Sequence, residues 1–159
     1  QLKNINPVYI NTFMYTGSTS TYRVKNPSKY KGNINNIVSR STWERRFMVW
    51  ADNSSSVIEW GSEEIIVPYV SDVDGKVHRY FTDFFCRIKD KDGNIQKYLI
   101  EIKPEKFTKP PVQPKKKSKR YVEEVMQYLT NESKWRAAKK FCEERDMKFL
   151  ILTERHLGM

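Results

Sequence analysis

Cysteine and histidine are almost missing from this chain. Its 159 residues include only Cys86, Cys142, His78 and His156 of these two types. None of the four stands at CxxC or HxxxH spacing, so a structural zinc site is not expected. Without a disulfide framework, both cysteines read as reduced and buried, as in an intracellular protein. No apolar run approaches the roughly 20 residues that span a bilayer, so no membrane partner is expected. The first residues lack the basic start, apolar centre and small-residue cleavage site of a secretory leader. No glycine-rich loop or other motif points to a small-molecule cofactor.

Acidic residues are also in short supply. Lys and Arg number 29 against 19 Asp and Glu, a formal net charge of +10. A balance this basic favours a polyanionic partner, most often nucleic acid, because Lys and Arg displace condensed counterions from phosphates. Hydrophobic residues make up 38% of the chain and aromatics 13%, enough for the core of one domain.

Residues 1–40 are polar and show little periodicity, and they read as an arm or irregular lead-in. The domain proper is expected over 22–159, with an N-terminal arm over 1–21. Ser41 opens a helix in which Trp43, Phe47 and Trp50 form a buried stripe. Val57 to Trp60 and Ile65 to Val70 alternate as strands, with Pro68 suited to an edge. Asp74-Gly75 marks a turn, and Val77 to Lys89 reads as one strand. After a turn at Lys91-Asp92-Gly93, Asn94 to Lys103 forms the next strand. Prolines then make an extended linker from Phe107 to Pro114. Val122, Val125, Met126 and Leu129 mark an amphipathic helix. A second helical stretch with Trp135, Ala138 and Phe141 follows, with a kink expected near Thr130-Asn131. Lys148 to Thr153 is the last strand.

Strand alternation places Leu99, Glu101 and Lys103 on one face, with Tyr98, Ile100 and Ile102 on the other. A three-residue loop with Gly93 left-handed pairs Asp90 with Asn94, and outward counting then sets Asp83 opposite Glu101. A two-residue loop would place the two acids on different faces. Adjacent carboxylates in a cleft repel unless protonated or bridged by a cation. Oxygen ligands suit magnesium, or manganese in its place, and Lys103 on the same face suits a role with water or phosphate. The plain alternative is a surface strand carrying a Glu–Lys pair. Glu44, three residues after Ser41, has its own structural reading as a capping box. Lys115, Lys116, Lys117, Lys119 and Arg120, with Arg45 and Arg46, are candidate grips on the backbone of double-stranded DNA. Glu59 or Glu64 could add a carboxylate and His78 could touch a scissile phosphate, but these residues and Glu63 read more simply as surface charges.

Thr82-Asp83 followed by Glu101-Ile102-Lys103 resembles the PD-(D/E)XK nuclease superfamily, with Thr82 where that family has proline. Glu44 in STWERRF matches the acid that family commonly carries on the preceding helix. The phrases YRVKNPSKYKG, SRSTWERRFMVW, EWGSEEIIVPY, VHRYFTDF, YLIEIKP, KSKRY and KWRAAKKFC are similar to the head completion nucleases of T-even-type tailed phages. Those proteins are in turn similar to the endonuclease subunits of cut-and-paste transposition systems. The likeness runs from near Tyr22 almost to the end, and residues 1–20 carry none of it.

The resemblance implies an α/β (α+β) restriction-endonuclease-like core, a central mixed sheet of about four to five strands flanked by helices. It implies a metal-dependent deoxyribonuclease whose Mg2+ or Mn2+ ion is held by Asp83, Glu101, the Ile102 carbonyl and Glu44, with Lys103 assisting catalysis. Its biological setting would be packaged phage DNA during head completion, before tail attachment. Head or neck proteins would be its partners, and host cytoplasm or the virion its location. The competing reading is a non-catalytic protein that binds DNA ends in the virion neck.

Overall fold

The structure, a computed structural model, describes residues 19–158. Its centre is a four-stranded mixed sheet in the order β3-β6-β7-β8, formed by Val57–Ser62, Phe84–Lys89, Ile95–Ile102 and Met147–Leu152. The first three are antiparallel neighbours, and β8 runs parallel to β7. A parallel return requires a long crossover, which α2 (Lys119–Glu143) supplies. This is the expected restriction-endonuclease-like α+β core.

The sheet is buried on both faces. On one, α1 (Thr42–Asn53) packs Trp43, Phe47, Met48 and Ala51 against Trp60, Phe84, Cys86, Ile100 and Ile102. On the other, Leu99 meets Ala138 and Cys142 of α2 and residues of a second antiparallel ribbon. That ribbon joins β4 (Ile66–Val70) to β5 (Val77–Phe81). Cys86 and Cys142 are free and buried, as expected. Among the described residues, no helix is long and apolar enough to cross a membrane.

Three expectations need correction. Residues 22–40 are not an irregular lead-in, because Tyr22, Tyr30 and Ile37 enter the core. Tyr22 and Tyr30 meet the Trp60 ring edge-on at 5.9 and 4.8 Å between centroids. The expected arm, residues 1–21, lies largely outside the described residues, while Ser20–Thr21 (β1) pairs with Val38–Ser39 (β2).

Residues 77–89 are not one strand. The chain breaks at Thr82-Asp83, and β5 leaves the main sheet to pair with β4. The second helical stretch, finally, is not separate, because α2 runs unbroken for 25 residues through Thr130-Asn131. Asn131, where the kink was expected, and Ser133 are buried polar residues with partners. Asn131 accepts a hydrogen bond from Gln127 (3.1 Å), and the Ser133 hydroxyl accepts one from the Asp72 amide (3.0 Å). Continuity leaves Val122 and Met126 about half exposed on the first turns.

A single carboxylate ties the early segment to α1. Asp52, fully buried near the helix end, accepts from the Tyr22 hydroxyl (2.8 Å), the Lys25 amide (2.7 Å) and the Asn26 amide (3.0 Å). Burial alone would raise its pKa, but these bonds outweigh burial and hold it below the usual range. A depressed folded pKa contributes stability above the ordinary carboxylate range, and that stability is lost as pH falls through the folded value. Asp52→Ala leaves the buried Tyr22 hydroxyl and two backbone amides unpaired and is expected to cost about 3 kcal/mol. Thermal unfolding at pH 7 should show that loss, which should shrink in acid; an unchanged melting temperature contradicts the anchoring role.

Candidate active site

The hairpin between β6 and β7 decides which acids can meet. Gly93 is left-handed (φ 87°), and the Asp90 amide donates to the Asn94 carbonyl at 2.9 Å. The ladder runs Phe85 opposite Leu99 and Phe84 opposite Ile100, the register of a three-residue loop. One step further brings the chain to Asp83 on one side and Glu101 on the other. Asp83 lies in a bend just before β6 rather than in a strand, and its Oδ2 accepts the Ile102 amide at 2.7 Å.

The bend itself is pinned. Thr82 is buried, and both its amide (3.2 Å) and its hydroxyl (2.9 Å) donate to the Ile65 carbonyl. Proline has no amide hydrogen and could not make the first bond. The Glu63 amide donates to the Asp83 carbonyl at 3.1 Å, with Glu63 left-handed at φ 55°.

These residues open into one cleft, lined by Ser41, Trp43, Glu44, Asp83, Glu101, Ile102, Lys103, Pro104 and Phe107. Glu101 is almost fully buried and has both oxygens engaged. Its Oε1 faces Lys103 Nζ at 3.2 Å, and its Oε2 accepts the Tyr80 hydroxyl at 2.5 Å. Tyr80 escaped the sequence reading because the β5 break, which lets it reach back over the sheet, carries no signal in residue alternation.

Charge in the cleft is unbalanced. Burial and the nearby Glu101 push the Asp83 carboxyl well above the usual carboxylate range. The Ile102 amide and Lys103 pull it down without compensating. Burial also raises Glu44, against the Arg40 amide (2.7 Å) and Ser41 hydroxyl (3.2 Å) that bind its two oxygens. The Ser41 hydroxyl accepts the Glu44 amide at 3.1 Å, so Glu44 belongs to the helix cap and lines the cleft as well.

Among the described residues, no three Asp, Glu, His or Cys side chains converge as a ready-made metal cage. The cleft offers Asp83 and Glu101 as oxygen donors, with no imidazole or thiolate in its lining. Two carboxylates under mutual repulsion fit a hard cation of the magnesium class, which keeps several waters.

The other candidates lie elsewhere. Lys115, Lys116, Lys117, Lys119 and Arg120 are exposed at the approach to and start of α2, outside the cleft lining. Lys119 and Arg120 face Glu123 and Glu124 at 3.9 and 3.0 Å. Arg45 lies over the Tyr22 ring (5.6 Å) and Arg46 is half-buried. His78 pairs with Asp74 at 2.8 Å, away from the cleft. Glu59 faces Lys31 and Arg87, and Glu64 accepts the Asn33 amide. Glu63 takes a two-point contact from Arg40, Nε at 2.9 Å and Nη2 at 3.1 Å. Arg40 is a residue that the sequence reading did not single out. Its pair with Glu63 is exposed, a class worth under about 1 kcal/mol.

Comparison with known proteins adds a family. The family model for the TnsA-like endonuclease N-terminal domain matches residues 54–154, a span that contains Asp83, Glu101 and Lys103. The chain is also 43% identical over 134 residues to the head completion nuclease of Enterobacteria phage T4, covering 82% of this chain and 87% of that protein. No solved structure gives a significant match.

The raised Asp83 pKa carries a stability consequence. A folded pKa above the unfolded one means that the fold binds the extra proton, so stability is greatest in acid and falls as pH rises through the folded value. Asp83→Asn removes this penalty. Its melting temperature in EDTA at pH 8 is expected to exceed the parent's by roughly 3 °C for each kcal/mol relieved. The gain should vanish near pH 4, within the ordinary carboxylate range. Equal melting temperatures at pH 8 count against carboxylate repulsion in the cleft.

Proposed function

Since this chain belongs to the TnsA-like endonuclease N-terminal family, we propose that it is a metal-dependent nuclease that hydrolyses phosphodiester bonds in double-stranded DNA. The observation that carries the reading is the cleft in which Asp83, Glu101 and Lys103 meet. A protein that merely clamped DNA ends would have no use for an acid pair in a cleft that repels both itself and phosphate. By likeness to the phage relative, the setting we propose is packaged DNA during head completion, before tail attachment, with head or neck proteins as partners. The host cytoplasm and the virion are the proposed locations.

Asp83 and Glu101 are the residues that would hold the ion, Mg2+ or Mn2+, with the Ile102 carbonyl and Glu44 beside them. Such an ion polarises a phosphate oxygen and lowers the pKa of a bound water. Tyr80 fixes one Glu101 oxygen, so the carboxylate keeps its orientation toward the cleft. Lys103, on the other oxygen, is placed to donate to an incoming water or to a phosphate oxygen. In the reaction a water oxygen gives up a proton and forms a new bond to phosphorus while the bond to the departing deoxyribose oxygen breaks, and that oxygen takes up a proton. The positive ammonium of Lys103 lowers the cost of charge gathering on the phosphoryl oxygens. Lys115, Lys116, Lys117, Lys119, Arg120, Arg45 and Arg46 would hold the duplex by its phosphates, without reading sequence.

The test is cleavage of plasmid and linear duplex with magnesium against EDTA, using the parent and Lys103→Ala. The parent should cut only with the ion. The variant should fold and bind DNA like the parent and cut on the order of a hundredfold more slowly. A variant as fast as the parent removes Lys103 from the chemistry. A parent inactive with magnesium and manganese leaves the DNA-end clamp as the better reading.

A further inference from the structure

Next to Ser41 and Glu44 of the cleft lining stands an arginine, Arg40, held by an exposed carboxylate. Arg40 directly precedes the α1 cap, and its amide binds Glu44. Its guanidinium makes a two-point contact with the Glu63 carboxylate and is more than half exposed. It also lies within the electrostatic reach of Glu44 and Asp83.

The guanidinium fork that grips a carboxylate at two points fits a phosphodiester equally well. An exposed ion pair contributes little to folding, so giving up Glu63 costs the protein little. Glu63 itself sits in a left-handed backbone conformation that a non-glycine residue adopts only when its surroundings hold it. What holds it is the bond from its amide to the Asp83 carbonyl, so the Arg40 partner is mounted on the same bend as the site acid. We propose that Arg40 is a substrate-contacting residue, which leaves Glu63 to bind a DNA phosphate at the mouth of the cleft, with Glu63 as its resting partner.

The inference rests on DNA as the substrate, and it explains how a phosphate approaches a cleft lined by Glu44, Asp83 and Glu101. Arg40 gives the polyanion a cation to meet before it reaches the acids. Glu63 keeps that cation oriented while no substrate is present.

Binding of a labelled duplex in EDTA at several salt concentrations isolates the contact from cleavage. Arg40→Ala should bind on the order of tenfold more weakly, and its log–log salt slope should fall by about one unit. Arg40→Lys should recover part of the affinity, since it keeps the charge and loses the fork. Glu63→Gln should bind as well as the parent or more tightly. In magnesium, Arg40→Ala should raise KM more than it lowers kcat.

An unchanged slope in Arg40→Ala overturns the proposal. So does a loss in Glu63→Gln as large as that in Arg40→Ala, which would make the pair a brace for the bend. Should Arg40→Ala fail to fold, parental affinity in folded Arg40→Lys combined with weakened Glu63→Gln is the overturning result. If the parent binds through Arg40 but cuts nothing with magnesium or manganese, the contact stands and the nuclease reading fails.

Discussion

The repulsion between Asp83 and Glu101 is the constraint around which the rest of this structure is arranged. The pairing of β6 with β7 brings the two acids to one cleft, where Glu101 is buried and Asp83 is partly so. A fold would shed such an arrangement if packing alone mattered. Instead, each acid is restrained: Asp83 by the Ile102 amide and its carbonyl bond from Glu63, Glu101 by Tyr80 and Lys103. The restraints fix position without cancelling charge, since Asp83 stays well above the usual carboxylate range.

Both faces of the sheet contribute to that restraint. On the α1 side, the Ser41 cap sets Glu44 against the cleft, and Asp52 binds the segment that carries Tyr22 into the core. On the α2 side, β4 and β5 fold over the sheet, so that Tyr80 reaches Glu101 from a strand that never joins the main ladder. The break that frees β5 is the same Thr82 turn that aims Asp83. A proline there would restrict the backbone and forfeit the amide bond to Ile65; Thr82 makes that bond and adds a hydroxyl.

Local rules made the hairpin legible in the sequence. The left-handed glycine and odd loop at Lys91–Gly93 are local, so the register that brings Asp83 beside Glu101 could be counted from residues alone. The Trp43–Phe47 stripe and the Ser41 cap are local in the same way. What escaped depends on tertiary contacts. Tyr22, Tyr30 and Ile37 are scattered through a polar stretch and become core only because Trp60 waits across the fold. The kink expected near Thr130-Asn131 does not interrupt α2, where Asn131 accepts from Gln127 of the same helix and Ser133 accepts from the Asp72 amide in the turn after β4. The alternation of residues 77–89 continues through Thr82, so nothing local announced the change of sheet. Tyr80 and Arg40 were missed for this reason: their roles depend on which acid lies opposite in space, namely Glu101 and Glu63.

We propose that this acid pair is kept in place to hold a divalent ion. The most direct test is a calorimetric titration of the parent chain with manganese, repeated on Glu101→Gln, which keeps the size and backbone pairing of the original. The parent should show a saturable site, weakened in the variant by on the order of tenfold or more. Equal binding by both proteins, or no binding by the parent, would contradict it.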